Sequence, residues 1–193
     1  MPVDRDKAEQ AIVAFLRAMG LDPEREPELS GTAARVVEAW STDLIDGYQV
    51  DVAGLLTRES SSLPGAPAGL VAVRGLAIAT MCPHHLLPAR GTATVMYLPG
   101  ARLTGLGTLA RLVDAYAHRL TLQEVIGANV TTALVEHLGA RGAACQIALT
   151  HECLASRGER QHSATVTTLA FAGIFEAAGP DRDLALATLA EPK

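Results

Sequence analysis

The sequence predicts an α+β fold in which a four-stranded antiparallel sheet carries two helices on one face, preceded by N-terminal helices. Two observations lead to this prediction. Apolar residues recur at helical spacing in the first quarter of the chain and again in its middle. Short runs rich in Val, Ile and Thr, which are typical of strands, flank the middle helices on both sides. The predicted order of the main unit is therefore strand, strand, helix, helix, strand, strand.

The composition is that of a folded protein. Hydrophobic residues make up 49% and charged residues 19% of the 193 residues, which is enough for the core of a single domain. The formal net charge of −5 gives no electrostatic reason to expect nucleic-acid binding, and no apolar run approaches membrane-spanning length. The three cysteines, an odd number, do not match a disulfide framework. We therefore expect a cytoplasmic protein that binds neither nucleic acid nor membrane.

The N-terminal part is predicted to be helical. Apolar stripes at helical spacing cover residues 4–19 and 32–45. Residues 58–69 are rich in Ser, Pro and Gly and are predicted to be a loop. The chain is thus expected to contain an N-terminal helical region with its loop at residues 1–68, the main α+β unit at residues 69–176, and a tail at residues 177–193 that is helical in part.

Four strands are predicted after this loop. They cover residues 70–80, 92–98, 144–150 and 164–171. Arg90 and Gly91 are expected near the turn between the first two strands. A sheet with helices on one face leaves its other face and both edges open, so we expect several copies to join into a closed barrel.

Two helices are predicted between the strand pairs, at residues 106–116 and 121–138. The second helix opens with Thr121-Leu122-Gln123-Glu124, which has the form of a capping box. Gly139 and Gly142 are expected to end it.

Two short clusters of cysteine and histidine indicate a metal site. They are Cys82-Pro83-His84-His85 and Thr150-His151-Glu152-Cys153. Thiolate and imidazole are the preferred ligands of zinc, so Cys82, His85 and Cys153 are predicted to hold Zn²⁺. Three protein ligands leave an open position, which is typical of a catalytic site. The alternative is that the two cysteines are small buried hydrophobic residues, as we expect for Cys145 inside an apolar strand.

Other polar residues near these clusters suggest proton transfer and anion binding. His84 and His151 are predicted proton carriers, because the pKa of histidine suits acid–base work near neutrality. The alternative is that these two histidines only form hydrogen bonds near the metal ligands or in the core. Arg111 and Arg157 are candidates for binding an anion, although either could be solvated instead. His118 and His137 are expected on helix surfaces, and His162 is left open.

The motifs in this order resemble the GTP cyclohydrolase I family over residues 28–176. The motifs are Cys82-Pro83-His84-His85, residues 105–111, Gln123-Glu124, Thr150-His151-Glu152-Cys153, Ser156-Arg157-Gly158 and residues 163–168. The resemblance implies a tunnelling fold, a toroidal decamer with sites at subunit interfaces, and a purine nucleotide substrate. It also implies hydrolysis of the guanine ring at C8 by water activated on zinc, formate release and closure to 7,8-dihydroneopterin triphosphate.

The resemblance assigns roles to individual residues. Cys82, His85 and Cys153 match the family's zinc ligands, and His84 and His151 match the histidines that assist ring opening. The remaining matches are the pair that contacts ribose and guanine, Gln123 and Glu124, and the phosphate-binding arginines, Arg111 and Arg157.

The sequence departs from the family pattern near the expected phosphates. Pro83 replaces the usual Glu, and Gly107 and Thr108 replace the usual Ser and Lys. Residues 125–127 also differ from the common continuation after Gln-Glu. Either another basic residue such as Arg119 or Arg160 compensates, or the substrate carries fewer phosphates or is a different purine-like ring. The pattern also leaves open a catalytically silent nucleotide-binding relative and a structural zinc protein with His84 as fourth ligand.

Overall fold

The computed structural model describes residues 3–62 and 69–190 of the chain. Its helices are α1 (Arg5–Ala18), α2 (Thr32–Ala39), α3 (Val52–Arg58), α4 (Leu106–Ala117), α5 (Gln123–Glu136), α6 (Glu152–Ala155) and α7 (Pro180–Ala190). Its strands are β1 (Ser60–Ser62), β2 (Val71–Met81), β3 (Pro88–Leu98), β4 (Arg102–Thr104), β5 (Gly142–His151) and β6 (Val166–Gly173).

The central feature is a four-stranded sheet in the order β2-β3-β5-β6. All three strand pairings are antiparallel. Helices α4 and α5 lie between β3 and β5 in the chain, so the predicted α+β fold and its strand and helix order are confirmed. A bulge interrupts the pairing of β2 with β3 between Val73 and Leu76, where Gly75 takes a left-handed φ of 72°.

One face of the sheet forms the main core with α4 and α5. Alternate residues of each strand point to this face, as the period of a strand requires. They include Val95 and Tyr97 of β3 and Ile147 of β5, all fully buried. Cys145 belongs to the same face and is buried, as predicted, and burial raises the pKa of its thiol to about 12.

The opposite face is covered at one end by the C-terminal helix. Met96 and Ala144 of the sheet form a second cluster with Phe175 and with Ala185 and Leu189 of α7. The expectation that this face is left open is therefore correct only for part of its area. Strands β2 and β6 are the edges of the sheet within the described residues. The closed oligomeric barrel stays a prediction.

The N-terminal region contains the two predicted helices and one that was not predicted. Helix α1 packs on α2, and α2 continues into a wider turn at Trp40–Leu44. The unpredicted helix is α3, which begins after Asp51 because that carboxylate accepts a hydrogen bond from Gly54 N at 2.9 Å. The predicted loop at 58–69 is wrong in part, since β1 pairs with β4, and residues 63–68 lie outside the described residues.

Three local predictions are wrong. Arg90 and Gly91 lie inside β3, because the connection between β2 and β3 is the stretch from Cys82 to Leu87. Gly142 does not end a helix but begins β5. The capping box is not formed, because Leu122 rather than Thr121 precedes the first turn of α5 and no side chain caps that end.

None of the helices in the described part of the chain combines the length and apolarity that crossing a bilayer requires.

Candidate active site

The connection between β2 and β3 brings Cys82 and His85 side by side. Two backbone hydrogen bonds of 2.9 Å close this turn, from Leu86 N to Cys82 O and from Cys82 N to Leu87 O. Leu86 takes a left-handed φ of 53°, which allows the tight reversal. Cys82 Sγ lies 3.7 Å from His85 Nδ1. The first Cys-His cluster is thus the tip of a hairpin that presents two ligand atoms together.

Cys153 brings a third ligand atom to this hairpin tip. It lies in α6, which begins directly after β5. Because β5 pairs with β3 so that His151 is opposite Ala89, the end of β5 is adjacent to the β2–β3 connection. The two sulfur atoms and the nearest His85 ring nitrogen all lie within 4.8 Å of one another. The predicted ligands are therefore brought together by sheet pairing.

The donor set fits a zinc ion. A tetrahedral ion with Zn–S bonds of about 2.3 Å and Zn–N bonds of about 2.0 Å holds its ligand atoms about 3.5–3.8 Å apart, so small side-chain movements suffice. Burial, followed by the neighbouring Cys82 thiol, raises the pKa of Cys153. The negative charge of a Cys153 thiolate is therefore unfavourable in the protein alone. A divalent cation bound by the thiolates offsets this charge. Within the described residues this cluster does not include His84, so the structure does not support a closed four-ligand site.

His151 and Gln123 form a partly buried hydrogen bond beside the metal cluster, which consists of the candidate ligands Cys82, His85 and Cys153. His151 Nε2 lies 2.8 Å from Gln123 Oε1. The Gln123 side chain is buried between α5 and the sheet, and its Nε2 donates to Ile147 O at 3.0 Å and Val166 O at 3.0 Å. Burial lowers the pKa of His151, while the Glu124 carboxylate opposes this effect. The histidine is therefore held in place and partly shielded from water.

A cavity of about 310 Å³ joins the metal cluster to these polar groups. This volume suits a small organic molecule. Its lining contains Thr80, Cys82, Pro83, His84, His85, Thr121, Leu122, Gln123, Glu124, His151, Cys153, Leu154 and Val166. The structure thus gathers seven of the nine predicted site residues at one cavity.

The two predicted phosphate-binding arginines lie outside this lining. Arg111, on α4, is paired with the carboxylate of Glu59. Arg157 is exposed in the turn after α6, close enough to Cys153 for its charge to lower the pKa of that thiol. Arg157 therefore lies within electrostatic range of Cys153, whereas Arg111 faces a separate cavity that Asp46 and His118 also line. His118, expected on a helix surface, lines this second cavity instead. Its Nδ1 lies 2.8 Å from Asp46 Oδ1.

The departures from the family pattern have clear structural positions. Thr108 is buried, and its hydroxyl donates to Glu59 Oε2 at 2.8 Å. Gly107 faces open space in the first turn of α4, and Pro83 lines the cavity. Gly127 lets α5 approach the sheet closely, since a Cβ there would lie 3.2 Å from that of Ala170.

The proposed substitutes for the missing lysine differ in availability. The Arg119 side chain donates to Gly47 O and Ala115 O and stacks on the rings of Tyr48 and Tyr116. Arg119 is therefore held within the fold. Arg160 is exposed in the turn that follows α6.

Sequence reasoning missed two acidic residues. Glu59, which contacts both Thr108 and Arg111, lies in the segment predicted to be a loop, and no pattern links it to α4. Glu152 lies between His151 and Cys153, accepts a hydrogen bond from Ser156, and is 3.9 Å from Arg90. Its place between two predicted site residues was the signal that could have identified it.

Known proteins show similarity along most of the chain. The sequence profile described as GTP cyclohydrolase I matches residues 8–190. A protein named GTP cyclohydrolase 1 from Chromobacterium violaceum is 44% identical over 177 residues, which cover 91% of this chain and 83% of that relative. One of the same name from Ralstonia nicotianae is 40% identical over 173 residues, covering 90% and 81%. The crystal structure of the archaeosine synthase QueF-Like in the apo form aligns with a TM-score of 0.45 and 15% identity, covering 60% of this chain and 100% of that one.

Proposed function

The chain belongs to the GTP cyclohydrolase I family, and we propose that it opens the imidazole ring of GTP at C8, releases formate and forms 7,8-dihydroneopterin triphosphate. One observation carries this proposal. The cluster of Cys82, His85 and Cys153 shares a cavity with His151, which would bring a bound metal ion and a proton carrier to one position. The family named from the sequence motifs is confirmed.

The three-ligand cluster is proposed to hold zinc. When bound, the ion supplies Lewis-acid activation of water beside the substrate. Cys82 and Cys153 must be reduced to act as ligands, and all cysteines among the described residues are free thiols. We therefore propose a reducing compartment, the cytoplasm, as the location.

His151 and His84 are proposed to move protons at the purine ring. Gln123 holds His151 at the cavity wall, which supports a role for His151 at a base bound in this cavity. A histidine whose pKa is lowered by burial gives up its proton readily near neutrality. His84 is exposed at the hairpin tip and lines the same cavity, so it can exchange protons with solvent.

The remaining site residues are proposed to bind the substrate. Glu124 is an exposed carboxylate in the cavity lining, and a carboxylate can accept two N–H groups from a guanine edge. The family resemblance gives Gln123 a substrate contact as well, but its amide is already hydrogen-bonded to Ile147 O, Val166 O and His151. Arg157 is exposed and within electrostatic range of Cys153, which supports a role in binding a phosphate. Arg111 is proposed as the second phosphate ligand.

The position of Arg111 supports an assembly with shared sites. Arg111 does not line the metal cavity of its own chain, so a site that uses it draws it from a neighbouring subunit. The exposed Leu169 on edge strand β6 also favours pairing with another copy. We propose a decameric barrel in which residues 69–176 form the catalytic unit.

A second candidate function has one observation in its favour. Glu59 and Thr108 occupy the region where the family has a lysine, and Glu59 already neutralises Arg111. This arrangement weakens the case for a triphosphate and favours hydrolysis of a purine nucleotide with fewer phosphates.

Formate release from GTP, GMP and guanosine by the zinc-loaded protein tests both candidates. Formate from GTP together with a pterin chromophore supports the first function. Formate from GMP or guanosine but not from GTP supports the second. No formate from any of the three contradicts both and leaves the catalytically silent nucleotide-binding relative, for which GTP binding without turnover is the matching result. Metal-stripped protein is the control.

A further inference from the structure

The amide of Gln123 has only one orientation that satisfies its neighbours. Ile147 O and Val166 O each lie 3.0 Å from one end of the amide, and a backbone carbonyl can only accept a hydrogen bond. That end must therefore be the NH₂ group, with Thr168 Oγ1 at 3.2 Å as a further acceptor. A flipped amide would bring oxygen against two carbonyl oxygens in a buried site, which is strongly unfavourable.

This orientation determines where the proton of His151 lies. The other end of the amide is the oxygen Oε1, which only accepts, and it lies 2.8 Å from His151 Nε2. Nε2 must therefore carry a hydrogen in every protonation state that keeps this contact. In the neutral ring Nδ1 is then the bare nitrogen, and no hydrogen-bond partner for Nδ1 is found among residues 3–62 and 69–190.

We propose that Gln123 is a positioning residue that fixes His151 as the Nε2–H tautomer, so that Nδ1 is the atom that exchanges a proton with the bound purine. The tautomer follows from hydrogen-bond geometry alone. The proton exchange with a purine rests on the proposed function. This positioning role differs from the role in which Gln123 contacts the substrate directly. Both N–H donors and the oxygen of Gln123 are already used by Ile147, Val166 and His151, so the amide has little capacity left for a ribose.

Steady-state kinetics of Gln123→Met distinguish the two roles. If Gln123 acts through His151, kcat for formate release falls about 10- to 100-fold, as is common when the partner that orients a catalytic group is lost, and KM stays within about twofold. If Gln123 contacts the ribose, KM rises and kcat is largely kept, and this result overturns the proposal. Thr168→Val is the matched control. It removes one acceptor of the same amide but leaves both carbonyls, so kcat is expected to stay within about threefold.

Neutron diffraction from crystals of the wild-type protein in D₂O tests the tautomer without any variant. At a pD where the imidazole is neutral, the proposal requires a deuteron on His151 Nε2, directed at Gln123 Oε1, and none on Nδ1. A deuteron on Nδ1 with a bare Nε2 overturns it. This readout decides the proposal if Gln123→Met does not fold. It also does not depend on turnover, so failure of the proposed function and failure of this inference are separate results.

Discussion

Glu59, the residue directly after α3, is paired with Arg111 on α4. The same carboxylate accepts a hydrogen bond from Thr108 at 2.8 Å. The hydrogen bond from Thr108 and then that from Arg111 lower the pKa of Glu59, so the carboxyl group is ionised at neutral pH. Arg111 is thus already engaged by an internal anion, and a phosphate group that binds it must compete with Glu59.

Replacing Glu59 with Gln is expected to lower the KM for GTP about two- to fivefold. An exposed ion pair is weak because solvent screens it, so freeing Arg111 for a phosphate is expected to change the KM only a few-fold. The KM for guanosine, which has no phosphate, should not change. The measurement is initial-rate formate release with each substrate.

A matched control for Glu59→Gln is Glu24→Gln. Glu24 also forms an exposed ion pair, with Arg17 at 2.6 Å, but neither residue lines the metal cavity. Its removal should leave both KM values unchanged. A higher KM for GTP in Glu59→Gln would mean that Glu59 orients Arg111 for phosphate binding rather than competing with phosphate.

Replacing Cys153 with Ser is expected to remove zinc and activity together. A serine hydroxyl does not ionise at neutral pH and is a poor zinc ligand, so only Cys82 and His85 would remain. Metal analysis should show less than about one tenth of the wild-type zinc content. Cys145→Ala is the control, because Cys145 is buried in the sheet and belongs to no ligand cluster in the described residues. Full zinc content in Cys153→Ser would show that the ligand assignment is wrong.

The candidate metal site could be predicted from the sequence because its ligand types are concentrated in short motifs. Cys82 and His85 are three positions apart, and local periodicity predicts that Cys153 follows the third strand. The pairing of β3 with β5, which brings Cys153 to the other two residues, is a long-range contact that only the structure shows. The phosphate region could not be predicted in the same way. The contact between Glu59 and Thr108 spans 49 positions and depends on how α3 packs against α4, which no local pattern records.

Gln123 shows how packing can override a local signal. The segment from Thr121 to Glu124 matches a capping box, yet Gln123 is the first residue of α5 and its side chain turns into the sheet. The hydrogen bonds to two strand carbonyls fix this side chain and the start of the helix with it. The sequence pattern contains Thr121 and Glu124 but not the two strand carbonyl groups that hold Gln123.

Replacing His151 with Ala is expected to lower the rate of formate release about 10²- to 10⁴-fold, the usual contribution of a positioned proton carrier. Zinc content should be kept, because His151 is not among the three ligand atoms of the cluster. His137→Ala, at the end of α5 and outside the cavity lining, is the control and should keep both zinc and activity. Unchanged turnover in His151→Ala would exclude the proposed role, and parallel loss of zinc would assign His151 to the metal site instead.

Replacing Asp114 with Asn is expected to stabilise the protein at neutral pH. Burial raises the pKa of Asp114 above 3.8, the nearby Asp46 adds to this shift, and His118 opposes it. The folded protein therefore binds this proton more tightly than the unfolded chain does. Ionisation of Asp114 costs stability above its folded-state pKa, and that cost disappears as the pH falls below the unfolded-state value.

The melting temperature of Asp114→Asn should accordingly exceed that of the wild type at pH 7, and the difference should shrink toward pH 4. For a chain of this size about 1 kcal/mol corresponds to about 2–4 °C, and a half-buried group is expected to give a gain of about 2 °C. Asp43→Asn, at an exposed position, is the control and should change the melting temperature by less than about 1 °C at either pH. A gain that is equal at both pH values would trace the effect to packing rather than to the charge of Asp114, because only a titrating group links stability to pH in this way.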